Sequence, residues 1–419
     1  MHDVRDIHLK YGSVVRITPD EISFAKAEAW PEIFQTRPGH LPFPKNPVWW
    51  SAQPGQPDSI ISVKSTEDHT RIRRLLQHGF TERAVKDQEP ILQHYAGMLI
   101  DRLRERATSA EANQDGGAAL DIVQWLNFTT FDIVGDLSFG ESFNCLRDSK
   151  YHPWVALIFN HFRASALVAA VRFYPLLDAL LIKCLPKSVM KIQRDHYQLV
   201  VDKVQRRLKF DVERPDFMSH VIRYNDDKGM SQSEIEATFN IVIVAGSETT
   251  ATTLSGTLNH LIRNPDKLRA LTREIRTSFT TEQTITLSAL RGLPYLNAVL
   301  HEGLRLCPPI PAGLPRIVPE GGDAVCGQWM PGGTAVSVHA WTLSLSSMSF
   351  HDSLSFHPER WLDKCTKDST SPFFSDERHA VQSFSVTALQ CRTASMHRQE
   401  SGLGRIASHS GATRVGIRC

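Results

Sequence analysis

The sequence predicts a mainly α-helical protein carrying small β-sheets. Between about Asp68 and Leu306 apolar residues recur at three- and four-residue spacings, the period of helices that bury one face. Ahead of that region, YGSVVRITPDEISF (Tyr11 to Phe24) alternates apolar and polar residues around a Pro-Asp turn, the pattern of a β-hairpin. Behind it, Thr334–His339 is a short strand candidate in a stretch rich in Pro and Gly. With 41% hydrophobic and 22% charged residues in 419, the chain has enough apolar material for a large core, and disorder is excluded. Length leaves one continuous helical unit or two or three domains open.

Taken in order, the first residues offer neither a signal peptide nor a run of roughly 20 apolar residues. The hairpin follows. The helical region is expected to break near Asp115–Gly117, Pro186, Pro215 and Pro265. Its most apolar stretch, Ala164 to Pro186, is interrupted by Arg172, Pro175, Asp178 and Lys183, so it reads as helices lying against a core or a bilayer surface, with core packing favoured. Beyond Trp361, Ser, Thr, Arg, His and Gln dominate, apolar periodicity disappears, and Lys364–Ser375 reads as an exposed loop. Seven scattered cysteines without a CxxC pair read as reduced thiols, and a net charge of +2 without a long basic run argues against nucleic acid as a partner.

Three motifs carry chemistry or its scaffold. Ala245-Gly246-Ser247-Glu248-Thr249-Thr250 lies inside an apolar helical run, where small and hydroxyl residues are locally unfavourable. Gly246 would leave room for a flat cofactor, and the hydroxyls could bend the helix and hold water or dioxygen; a Gly-kinked core helix is the plainer alternative. Glu302 and Arg305 lie one helical turn apart on one face, which on an exposed helix is an ordinary ion pair. Downstream, FHPERW (Phe356 to Trp361) supplies Arg360, whose guanidinium could join that pair in a buried network.

In this order the A-G-x-E-T-T helix, the E-x-x-R helix ending in C-P-P, and F-x-P-E-R-W resemble the cytochrome P450 superfamily, the haem-thiolate monooxygenases. The resemblance extends from Tyr11 to about Trp361, and KYGSVVRITPDEISF with PFPKNP is similar to ascomycete enzymes of secondary metabolism. It implies the cytochrome P450 fold over residues 1–362, lacking an N-terminal membrane anchor, and an aberrant tail over 363–419 where the haem loop and last helices would be. By the same resemblance Thr249 would be the oxygen-activating hydroxyl with Glu248 as its acidic neighbour. His69 and Arg73 in DHTRIRRLLQHGF, with Arg316 in PAGLPR, would face the propionates of haem b (iron protoporphyrin IX), and Glu302, Arg305 and Arg360 would be the scaffold triad. Implied partners are an NADPH-cytochrome reductase, O2 and an apolar small molecule, at the cytoplasmic face of the endoplasmic reticulum. Arg71, Arg73 and Arg74 would face the reductase or simply solvate a helix.

The family's axial cysteine sits in a loop patterned F-x-x-G-x-R-x-C-x-G, and the thiolate pushes electron density onto iron to favour O–O cleavage. Here Phe384 and Cys391 keep the separation, but Thr387 and Thr393 replace the glycines and Leu389 replaces the arginine. Cys391 is thus the candidate metal ligand or an exposed tail thiol. The genetic code suggests an origin. Met396-His397 must be encoded ATG-CA(C/T), so the neighbouring frame contains TGC, a cysteine codon. Around it, codons for Leu389 to Arg398 permit F-S-V-G-P-R-A-C-I-G, which matches the loop at every defined position, and the frame continues with the spacing of a buried helix. The expectation is a frameshifted or mis-spliced tail. Three readings follow: a monooxygenase, a catalytically inactive product of its gene, and a non-enzymatic helical ligand-binding protein reusing the scaffold.

Overall fold

The computed structural model describes residues 2–378 and 381, apart from 53–55, 109–118, 154, 156–170, 175, 177, 179, 181–186, 211–212 and 227. Helices of eight or more residues among them are α1 (His2–Tyr11), α2 (Thr66–Gln77), α3 (Glu82–Ala107), α4 (Ile122–Phe139), α5 (Lys187–Lys209), α6 (Phe217–Tyr224), α7 (Gln232–Arg263), α8 (Pro265–Ser278) and α9 (Pro294–Leu306). Their starts are written in the sequence. Ser65, Thr81, Asp121 and Asp216 each accept a backbone N–H from the first turn of the helix they precede. Ser231 and Glu234 form a reciprocal capping box on α7, and Pro265 and Pro294 open α8 and α9.

The main core forms where α4 lies along α7. Phe128, Phe131 and Val134 of α4 and Ile235, Phe239 and Ile243 of α7 are almost wholly buried and belong to one apolar cluster with Ile72 and Leu75 of α2. A second cluster lies under a four-stranded sheet ordered β1 (Val14–Thr18), β2 (Glu21–Phe24), β6 (Ala335–Val338), β3 (Arg316–Ile317). The hairpin is antiparallel, as its alternation and Pro-Asp turn dictate, whereas β2 pairs parallel with β6, Glu21 against Ala335 and Phe24 against Val338. That pairing brings residues 335–338 onto the hairpin near the start of the chain. The strands β4 (Asp323–Val325) and β5 (Gln328–Met330) form a separate hairpin.

Residues His2–Tyr11, without an expected element, form α1, which is tied down by His8, buried and bonded to Ser23 of the sheet at 2.8 Å. Three expectations need correction. The loop expected at Lys364–Ser375 starts inside a single helical turn, Asp363–Lys367. Packing does not stop at Leu362: Asp376 is buried and bonded to Arg360 and to the His351 amide, and Val381 is buried too. Most of Ala164–Pro186 lies outside the described residues, but Phe173, Tyr174, Leu176 and Leu180 are exposed, so these side chains are not core.

Candidate functional site

The long helix α7 carries the A-G-S-E-T-T motif at its middle. Hydroxyls there are accommodated by bonding back one turn: Ser247 Oγ donates to Ile243 O at 2.6 Å, Thr249 Oγ1 to Ala245 O at 2.5 Å and Thr250 Oγ1 to Gly246 O at 3.0 Å. Although the helix is packed on several sides, Ala245 and Thr252 are exposed with half-buried Thr249 between them, one stripe at helical spacing. The motif therefore opens onto space rather than core. Glu248 is half-buried, its Oε1 lacks a hydrogen-bond partner among the described residues, and burial pushes its carboxyl above the ordinary range.

Gly246 lies where α7 meets α4. A Cβ built on it would approach Val134 Cγ2 of α4 to 2.8 Å, so the missing side chain lets α4 and α7 approach each other. The same device joins α7 to α9, where a Cβ on Gly303 would overlap Thr257 Oγ1 and one on Gly256 would overlap the thiol of Cys307. That contact accounts for Cys307 as a packing residue.

A second group of residues, around α2 and β3, forms a cluster of basic groups. His69 of α2 is held down to about 4 by burial and by the charges of Lys45, Arg73 and Arg316. Lys45 is lowered to about 8 by burial and by Arg316, against the opposing pull of Asp58, while its ammonium donates to the carbonyls of Ile60, Ile61 and Val63 at 2.9–3.3 Å. Arg316 is also lowered by burial, and its Nε is buried without a partner among the described residues. His69 and Arg73, one turn apart on α2, are thus brought together with the sequence-distant Arg316. Lys45 was not anticipated, since its PFPKNP setting has no periodicity. It arrives through an antiparallel bridge of its backbone to Arg316. Of the three arginines considered for a reductase surface, Arg71 is committed internally: it pairs with Glu234 Oε1 at 2.6 Å and with Asp68 at 2.8 Å.

Below the site, Glu302 of α9 gathers the other motif. Arg305 Nε and Nη2 donate to it at 2.9 and 2.8 Å, Arg360 Nε at 3.2 Å, the His357 amide at 2.9 Å and Trp361 Nε1 at 2.9 Å. All three charged side chains are fully buried. Burial alone would raise the Glu302 carboxyl, but Arg305 and Arg360 hold it below its ordinary value. The remaining Arg305 donors go to the carbonyls of Ser344, Ser353 and Ser355. The network ties α9 to the segment 344–376.

The sequence profile described as Cytochrome P450 matches residues 1–384. The chain belongs to the cytochrome P450 family. Similar proteins include the cytochrome P450 monooxygenase astJ of Aspergillus oryzae, 43% identical over 93% of this chain and 76% of that protein. The cytochrome P450 monooxygenases lcsI of Purpureocillium lilacinum and efuB of Hormonema carpetanum are 40% and 39% identical, over 90% and 92% of this chain and 74% and 75% of theirs. By family the chain is a cytochrome P450 monooxygenase, and the family uses a haem-thiolate cofactor. The basic cluster fits the acidic side of such a group, because several converging cations, one with an orphaned buried donor, suit carboxylates. The family match stops three residues before Thr387, where the loop pattern fails. Cys391 and that loop lie outside the described residues. Among the described residues no helix is long and apolar enough to cross a membrane.

Proposed function

We propose that this chain is the body of a haem b monooxygenase that oxidises an apolar small molecule in fungal secondary metabolism. The observation carrying this reading is the basic cluster of Lys45, His69, Arg73 and Arg316, whose charges converge on one another. Arg73 and Arg316 would hold the two propionates; Lys45, spent on the carbonyls of Ile60, Ile61 and Val63, would add its charge, and neutral His69 would be a further hydrogen-bond partner. The haem would supply oxygen activation, with electrons from an NADPH-cytochrome reductase. Around it, Thr249 keeps its hydroxyl anchored on Ala245 O and turns its lone pairs toward the opening, while Glu248 is the nearest acid for holding and releasing a proton. The Ala245 and Thr252 side chains shape the floor on which an apolar substrate would rest. Attachment to the cytoplasmic face of the endoplasmic reticulum is part of the proposal. The test is haem titration of the full chain: replacing both Arg73 and Arg316 by methionine should weaken binding at least about tenfold, two charge-assisted contacts being lost. Unchanged affinity refutes the assignment.

A second reading is favoured by one observation. Thr387, Leu389 and Thr393 stand where the axial loop needs glycine, arginine and glycine, while the adjacent reading frame permits the intact loop. On this reading the recorded tail is a frameshifted or mis-spliced product that is catalytically inactive. Sequencing the transcript across codons 384–419 decides it: codons incompatible with F-S-V-G-P-R-A-C-I-G remove the idea.

A further inference from the structure

The basic cluster is assembled from two pieces of chain, α2 with His69 and Arg73 and β3 with Arg316, and Lys45 is tied to both. Its backbone belongs to the β3 side. Lys45 lies opposite Arg316 in an antiparallel bridge, flanked by the bonds from Ile317 N to Pro44 O at 2.9 Å and from Asn46 N to Pro315 O at 3.2 Å. Because these bonds lie on either side of the pair, Lys45 and Arg316 occupy the position where opposed residues stand closest, and their side chains leave the ribbon on one face. Pro44 and Pro315 lack an N–H, so each flanking pair makes one bond where two are usual. The backbone pairing alone is therefore weak.

The side chain belongs to the α2 side. Its ammonium donates to Ile60 O at 3.0 Å, Ile61 O at 2.9 Å and Val63 O at 3.3 Å, which uses all three of its hydrogens. Those carbonyls come from one knotted turn: Ser59 N donates to Ser62 Oγ at 2.8 Å, and Ser62 N and Val63 N donate to Ser59 O at 3.1 and 2.9 Å. Ser59, Ser62 and Val63 are buried, and only Lys64 separates the turn from Ser65, the cap of α2. One residue thus links the strand bearing Arg316 to the entry of the helix bearing His69 and Arg73. The arrangement has a cost, since two cations oppose each other across the bridge, and Asp58 is the acid that acts against it on Lys45. A neutral side chain would avoid that cost and leave the three carbonyls without their cation.

We propose that Lys45 is a positioning residue that fixes the spacing between Arg316 and the α2 pair His69 and Arg73, so that the two halves of the cluster are set before an anion arrives. Setting them beforehand lowers the cost of ordering them on binding. The proposal rests on the reading of this cluster as the seat of the propionates. With its own hydrogens spent, Lys45 acts through the placement of its neighbours.

The test compares Lys45→Met, which keeps most of the stem and removes the cation, with Lys45→Arg, which keeps the cation. In the full chain without haem, hydrogen exchange at the amides of Ser59, Ser62 and Val63 should quicken at least about tenfold in the methionine variant and return most of the way in the arginine variant. Haem titration of the same samples should show binding about three- to tenfold weaker in the methionine variant and restored by arginine. That loss should persist at about 0.5 M salt, where the effect of a bare charge is screened. Should Lys45→Met fold poorly, Lys45→Gln is judged in its place. Native exchange rates in the methionine variant overturn the proposal, and so does haem affinity that is unchanged, that differs only at low salt, or that arginine fails to restore. A native chain that binds no haem removes the proposed function and this inference with it, whereas equal binding by the native and methionine chains removes this inference alone.

Discussion

Replacing Glu302 by glutamine changes one oxygen to an NH2 and should nevertheless unfold much of the chain. In the structure both carboxylate oxygens act only as acceptors, three donors converging on Oε1 and two on Oε2. Glutamine can keep its oxygen on the busier side, which leaves the amide nitrogen facing Arg305 Nε and Trp361 Nε1, donor against donor. Each unmet buried donor costs about 1–3 kcal/mol. The two guanidiniums also lose their shared counter-charge, and breaking a buried ion pair by removing one partner costs about 3–5 kcal/mol. Arg360 retains Asp376 as a second carboxylate, which offsets part of the loss. A net destabilisation of about 3–5 kcal/mol follows, a large fraction of the roughly 5–15 kcal/mol typical of folded proteins. Urea denaturation followed by far-ultraviolet circular dichroism would measure it. A loss below about 1 kcal/mol would refute the view that one carboxylate organises α9 and the segment 344–376.

Two further perturbations test other joints of the structure. Gly246→Ala should destabilise by about 1–3 kcal/mol through its contact with Val134, and Val134→Ala in the same chain should recover at least about 1 kcal/mol; additive denaturation energies would show that the glycine serves something other than helix contact. His339, its Nδ1 3.1 Å from Ser23 Oγ, is lowered from 6.5 to about 4 by burial first and by the neighbouring His8 second. The unfolded chain then takes up a proton that the folded chain refuses, so stability should fall as pH drops from 6.5 towards 4, by about 3 kcal/mol at roughly 1.4 kcal/mol per pH unit. Denaturation in His339→Gln should reduce the slope of stability against pH in that window by this share, beside the part contributed by His69, likewise lowered to about 4, and an unchanged slope contradicts the assignment.

Local signals in the sequence were enough for the helical architecture because caps, prolines and apolar spacing act within a few residues. The Pro-Asp hairpin and the strand near Thr334 were legible for the same reason, but their parallel union was not, since nothing local encodes a partner three hundred residues away. Ordered motifs predicted that Glu302, Arg305 and Arg360 meet. Composition misjudged the stretch after Trp361, where a single buried acid, Asp376, anchors polar chain to Arg360. At Gly246 the residue type said that a close approach was needed, and the fold shows Val134 of α4 making one. Lys45 carried no signal, because it gains its setting from a bridge to Arg316 made by tertiary folding.

The central claim is that the described body is built for haem and that the tail from Thr387 lacks the loop that would hold the iron by sulfur. Two full-length chains should be expressed with haem, reduced and exposed to carbon monoxide: the recorded one, and one in which the residues from Leu389 onward are replaced by those of the adjacent reading frame. The account predicts a Soret band at the thiolate position for the restored chain and none for the recorded chain. A thiolate band from the recorded chain that vanishes in Cys391→Ala would contradict it, because the degraded loop would then be a working ligand.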